Sequence, residues 1–199
     1  MNLLRRGIMQ KVDSTLNWIL QKVAGSTGGI VISPIDWLSS GDVGALMEFD
    51  IKLNPESFSS SMSIIGSVTN QGIFLDGADE IRLRTTTFNF PTLDLFDGGF
   101  HHFKIEKITT TTTRITVDDL TPVTQAVALD IQMDTLAGSV TFLPTFDGTM
   151  KKFKFVTSGG TTTHDLAIND GAGATSILNR GTTSDGVIEG IEDTDYVWE

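Results

Sequence analysis

From residue 30 onward the chain alternates apolar and polar side chains with a period of two. In residues 45–53, Met47, Phe49, Ile51 and Leu53 fall on one face, with Glu48, Asp50 and Lys52 between them. That period is the signature of a strand with one buried face. Asn54-Pro55 ends the run, since proline cannot continue a central ladder. The same reading predicts strands at 30–32, 62–68, 72–75, 81–87, 100–108, 113–117, 126–133, 142–143, 149–156, 163–168 and 187–191. Gly- and Asp-bearing turns separate them. Many short strands at such spacing predict an all-β sandwich.

The clearest unit is residues 98–119, GGFHHFKIEKITTTTTRITVDD. Phe103 and Ile105, with Lys107 in register, point one way; Lys104, Glu106 and Ile108 point the other. Five threonines, Thr109 to Thr113, separate this run from Arg114-Ile115-Thr116-Val117. Two alternating runs around a polar reversal predict a β-hairpin. Phe103, Ile105, Phe153 and Phe155 are expected in the core, and His101 and His102, being adjacent, are expected on opposite faces.

Residues 2–24 follow a different period. Leu4, Ile8, Val12, Leu16, Ile19 and Val23 step by three or four, which is one face of a helix, and Gly25 supplies a stop. The spacing fits no strict heptad. Two uses of the stripe are open: packing on the chain's own sheet, or assembly with sister chains through those six residues. The expected organisation is a helix over 1–25 for anchoring or oligomerisation, followed by a sandwich over 26–199.

Composition narrows the functional classes. The 199 residues suit one domain with a real core. Cysteine is absent, which excludes disulfides and thiolate metal sites. The net charge of −11 is uneven: residues 1–23 carry +3 and the remainder −14. An acidic body repels phosphates and argues against nucleic acid as a partner. No apolar run approaches the length of a transmembrane helix, and the charged N-terminal stretch does not read as a secretion signal.

The hairpin resembles that of laminin G-like and concanavalin A-like jelly rolls. In those domains a Gly-aromatic-His start leads through a strand into a VDG-type turn; here the positions read Gly99-Phe100-His101-His102 and Val117-Asp118-Asp119. The run from Phe146-Asp147-Gly148 to Phe153-Lys154-Phe155 is similar to a strand near the end of laminin G-like domains. Residues 164–198, with Gly171, Gly173, Gly181, Gly186 and Gly190, look like the segment that accompanies such sandwiches in bacteriophage structural proteins. The resemblance implies a jelly roll that recognises sugars or surfaces.

Candidate chemistry is sparse. Retaining glucanases of this fold carry three acids on one strand face; Glu48 and Asp50 supply two, and Lys52 or Leu53 stands at the third position. There is no phosphate loop and no nucleophile elbow. Acidic turns offer oxygen ligands of the kind calcium prefers: Asp76 and Asp79, Asp94 with Asp97, and Asp118 and Asp119. None matches an EF-hand loop, and no cofactor is otherwise expected. Trp18, Trp37, Trp198 and Tyr196 form no evident sugar platform and read as packing residues.

The resulting expectation is a non-enzymatic virion component of a bacteriophage, in tail fibre or head decoration. Its partners would be other virion subunits, sister copies of the chain, and a host surface glycan. It would be made in the host cytoplasm and reside in the virion. The competing expectations are a free carbohydrate-binding lectin module and a divergent glucanase-like hydrolase.

Overall fold

A computed structural model describes residues 20–22, 28–37, 41–54, 61–67, 71–127, 130–139, 146–168, 176–189 and 196–198. These residues form strands and no helix. In chain order the strands are β1 (Leu20–Lys22), β2 (Gly28–Trp37), β3 (Leu46–Leu53), β4 (Met62–Gly66), β5 (Gly72–Leu75), β6 (Glu80–Leu83), β7 (Thr86–Asn89) and β8 (His101–Thr109). They continue with β9 (Thr112–Val117), β10 (Val123–Ala126), β11 (Ile131–Ser139), β12 (Gly148–Val156), β13 (Thr162–Ala167), β14 (Ser176–Ile177), β15 (Gly186–Glu189) and β16 (Tyr196–Trp198).

Two eight-stranded sheets stack face to face. One has the order β10-β9-β8-β3-β12-β1-β16, with β13 also on β12; the other has the order β14-β15-β2-β11-β4-β5-β6-β7. We call them the front and back sheets. Pairings such as β3 with β8, β8 with β9 and β12 with β3 are antiparallel. The alternation read from the sequence is what the sandwich buries. Met47, Phe49, Ile51 and Leu53 of β3, Phe103 and Ile105 of β8, and Phe153 and Phe155 of β12 all lie in the core. Phe49 and Phe103 stack across the β3–β8 ladder with ring centroids 4.9 Å apart. Trp37 closes one end of the core and donates its Nε1–H to Thr113 Oγ1 at 3.3 Å.

Several expectations change. Residues 20–22, read as the last turn of a helix, form β1 instead. Leu20 pairs with Met150 of β12 on one side and Trp198 of β16 on the other. β13 covers β12 only over Lys152–Val156, which leaves the bonds of Gly148–Met150 open to a second partner, and β1 supplies it. That pairing is non-local and invisible to a local period. At least these three residues of the supposed appendage therefore belong to the sandwich. The rest of the predicted helix, with Leu4, Ile8, Val12, Leu16, Ile19 and Val23, lies outside the described residues, as does the strand expected at 142–143.

The strand expected at 81–87 is the hairpin β6–β7. It turns at Arg84, whose φ of 56° is a left-handed conformation. The strand expected at 126–133 is the end of β10 and the start of β11, which lie in different sheets. β2 runs far past residue 32. Pro34 is tolerated there because the β2–β11 ladder shifts register between Met133 and Thr135, so no ladder bond is asked of it.

Candidate functional site

The two ends of the 98–119 hairpin close on each other at one edge of the front sheet. Asp118, in a left-handed turn with φ 49°, is the clasp. Its Oδ1 accepts the backbone N–H of His102 at 2.7 Å and its Oδ2 accepts His101 Nδ1–H at 2.8 Å, while its own N–H bonds His102 O at 2.8 Å. The Gly-Phe-His-His start and the Val-Asp-Asp end thus form one rim. As alternation requires, the histidines diverge. His101 is buried, with Nε2 lying 3.2 Å from Asp97 Oδ1 without an aligned hydrogen bond. Asp97 also accepts Gly99 N–H at 2.6 Å; that bond, with His101 beside it, outweighs desolvation and holds the carboxyl below its ordinary range.

His102 turns outward and joins a polar face. Its Nδ1–H donates to Asp50 Oδ1 at 2.6 Å, and Lys152 Nζ lies 3.3 Å from the other oxygen of the same carboxylate. One row along, β8 Lys104 lies opposite β3 Glu48, which lies opposite β12 Lys154, which lies opposite β13 Asp165. At the β8–β9 ladder, Glu106 takes Lys104 at 3.0 Å and Arg114 at 2.9 Å. Burial pushes the Glu106 carboxyl up, but the hydrogen bonds and charges of these two cations pull it down further, so it titrates below its usual value. At the edge of this face Phe100 is 38 % exposed, with Lys151 Nζ 5.1 Å from its ring centroid. The arrangement combines an exposed aromatic ring, carboxylate acceptors and ammonium donors within neighbouring strands. Those are the groups that grip a polyhydroxylated ring, through stacking on its apolar face and hydrogen bonds to its hydroxyls.

The acid candidates fare differently. On β3, Glu48, Asp50 and Lys52 point outward and Leu53 inward, so the third outward position carries an ammonium group rather than a carboxylate. Asp76 is held bidentately by Arg82, with a second contact of 3.1 Å to Oδ1. Burial raises its pKa, but the bonds from Arg82 and Ser61 and the guanidinium charge win, leaving it below the ordinary carboxylate range. Arg82 also covers the Phe74 ring at 4.7 Å. Asp76 thus serves the β5–β6 turn. Asp79 lies in the same turn, where its carbonyl accepts Phe90 N–H. Asp118 is the rim clasp, and Asp119 beside it is exposed. Asp94 Oδ1 caps Phe96 N–H. The structure thus distributes these acids over separate roles, and among the described residues no group of three or more His, Asp or Glu has the geometry to hold a metal ion. Phe100 and Lys151, which sequence reading did not select as site residues, are the aromatic and cationic pair at the edge of this face. The signal in the sequence is the aromatic residue of the Gly-aromatic-His start.

Two hollows lie elsewhere. One, of about 310 Å³, is lined by Phe90, Pro91, Thr92, Leu120, Pro122 and Val123. The other, of about 220 Å³, opens between the sheets beside Asp36, Asp42, Phe155 and His164. His164 donates Nε2–H to Ser33 O at 3.0 Å and accepts from Thr163 Oγ1, tying the front sheet to β2. Burial lowers its pKa, and the bond to Ser33 offsets that only in part.

No family model matches the chain, and no curated protein matches it in sequence. Its fold is similar to the crystal structure of a "putative carbohydrate binding protein" from Bacteroides ovatus, with a TM-score of 0.60 and 13 % sequence identity. The alignment covers 92 % of this chain and 60 % of that one, so the chain spans about three-fifths of the length of the structure it matches. At this identity the likeness establishes a shared all-β sandwich fold.

Proposed function

We propose that the protein is a non-catalytic, lectin-like module that binds glycans on the outer face of its front sheet. The carrying observation is the exposed Phe100 ring, flanked by Lys151 and by the Asp50–His102–Lys152 cluster. A sugar ring stacks on such an aromatic face, and the neighbouring carboxylates and cations orient its hydroxyls. The similarity in fold to a protein described as carbohydrate binding supports the same class of ligand. The non-catalytic part rests on the acids. Asp50 is engaged by His102 and Lys152, and Lys52 stands where a glucanase triplet needs its third carboxylate. The setting we attach to this reading is display on a bacteriophage particle, as homo-oligomers among other virion subunits. Its support is the sequence resemblance of the C-terminal segment.

The test is a glycan array probed with the full chain and with Phe100→Ala. Retention of at least one glycan class, weakened roughly tenfold or more in the variant, is the expected result. Retention of no glycan, or an unchanged profile for Phe100→Ala, overturns the reading. Release of new reducing ends from a retained glycan overturns the non-catalytic part.

A further inference from the structure

The outer face of the front sheet gathers cations in a protein that is short of them. The chain has 14 basic and 25 acidic residues, yet Lys52 of β3 and Lys151, Lys152 and Lys154 of β12 share neighbouring strands. Two of the four are consecutive. A regular strand sends consecutive side chains to opposite faces, and here one of them would enter the core. A β-bulge prevents that. The β12–β3 register shifts between Met150, opposite Ile51, and Lys152, opposite Asp50. Met150 and Phe153 are both fully buried, and the two lysines between them both emerge on the outside.

The carboxylates on this face are largely matched. Asp50 is held by His102 and Lys152, and Glu106 by Lys104 and Arg114. Glu48 lies opposite both Lys104 and Lys154 in register. Among the described residues Lys52, Lys151 and Lys154 form no ion pair. Lys151 lies over Phe100 instead, and because the β3–β8 ladder ends with Ile51 opposite His101, Lys52 and Phe100 are the next residues of the two strands at that end. An aromatic platform bordered by ammonium groups without carboxylate partners is built for a ring that carries a negative charge.

We propose that this patch is a subsite for a uronic acid residue of a glycan, which rests on the glycan-binding reading above. The sugar ring stacks on Phe100. Its carboxylate extends from the edge of the ring, where Lys52 and the flexible Lys151 stem reach it. The charge count selects a carboxylated sugar over a polysulfated one. Lys52, Lys104, Arg114, Lys151, Lys152 and Lys154 against Glu48, Asp50, Glu106 and Asp165 leave this face a net of +2, matched to one charge per sugar and thin for a densely sulfated chain. Arg114, the guanidinium on this face suited to bidentate sulfate contact, is taken by Glu106.

The experiment titrates the full chain with an oligogalacturonate, with the same oligomer after carboxyl reduction, and with a heparin-derived sulfated oligosaccharide. Binding of the oligogalacturonate is expected, weakened roughly tenfold or more by carboxyl reduction and to a similar extent by the double variant Lys52→Gln/Lys151→Gln. Arg84→Gln removes a positive charge at the β6–β7 turn of the back sheet, away from the patch, and should leave binding unchanged, which separates location from net charge. A melting temperature within a few degrees of the parent confirms that the double variant is folded. Equal binding of the reduced oligomer, binding of the sulfated probe alone, or indifference to the lysine substitutions overturns the inference. If array glycans are neutral and depend on Phe100 but not on the lysines, the uronate subsite falls and the glycan-binding module stands. If no sugar of any kind binds, the module itself falls.

Discussion

Lys107 shows how a single residue can follow the strand pattern against its own chemistry. It sits on the inward side of β8 in line with Phe103 and Ile105, is 1 % exposed, and its Nζ has no hydrogen-bond partner among the described residues. The ammonium lies 5.9 Å from the Trp37 ring. Burial pushes its pKa below 10.5, and attraction to Asp42 and Asp130 offsets this in part. Lys107→Met keeps the stem and removes the buried charge, so it is expected to stabilise the fold by about 1–3 kcal/mol in thermal or urea unfolding. The sign with pH follows from linkage: the unfolded chain holds the proton more tightly, so wild-type stability climbs between the lowered folded pKa and 10.5. The advantage of Lys107→Met should therefore shrink as pH rises through that window; an advantage that grows would mean that the ammonium is well solvated or paired. His164 has the same sign at lower pH. Its folded pKa lies below 6.5, so its contribution is whole above 6.5 and lost as pH falls through the folded value. Melting curves between pH 7.5 and 5 should show a smaller acid-induced loss for His164→Gln than for the parent. Equal losses in the two proteins would remove His164 from the account.

At the scale of elements, β12 carries the front sheet. It pairs with β3 along its length, with β1 at one end and with β13 at the other. Gly148 opens it with φ 154°, because a Cβ there would lie 2.2 Å from Lys52 O. Its bulge makes an unusual prediction. A one-residue deletion inside a strand ordinarily flips every later side chain to the wrong face. Deleting Lys151 instead leaves Met150, Lys152 and Phe153 in strict alternation, with Met150, Phe153 and Phe155 still inward. The deletion variant is expected to fold with a melting temperature within several degrees of the parent. A variant that fails to fold would show that Lys151 is required for the register itself. The segment after β14 is tied down by one side chain. Asn179 accepts the N–H of Asp165 and of Gly181 on Oδ1 and donates Nδ2 to Thr163 O and Thr183 Oγ1. Gly181 has no room for a Cβ, which would stand 2.2 Å from Thr163 O.

For the molecule as a whole, the decisive question is what residues 1–24 contribute. The stripe from Leu4 to Val23 suggests a detachable helix, but β1 lies inside it and bridges β12 to β16. Removing residues 1–24 is expected to lower the melting temperature or cause aggregation, since it opens the Gly148–Met150 edge and takes away the partner of β16. A truncated protein as stable as the parent would mean that β1 contributes little and that the segment acts elsewhere. What the sequence determined by itself is the all-β class and the inward set of β3, β8, β9 and β12, because period two and burial on one face are local properties of a strand. The reversal at the threonine run and the divergence of His101 and His102 follow from the same rule. Only the tertiary structure decided that β1 is a strand and that β10 and β11 part company, because backbone pairing between distant segments leaves no trace in a local pattern; the turn at Arg84 is local, but Arg84-Thr85 carries none of the Gly, Asn or Asp residues that mark a two-residue reversal. The candidate site divides the same way. Phe100, the histidines and Asp118 stand in one recognisable run that the β8–β9 hairpin closes, but their union with Asp50, Lys151 and Lys152 depends on the β3–β8–β12 register and on one bulge, which only the packed sheet establishes.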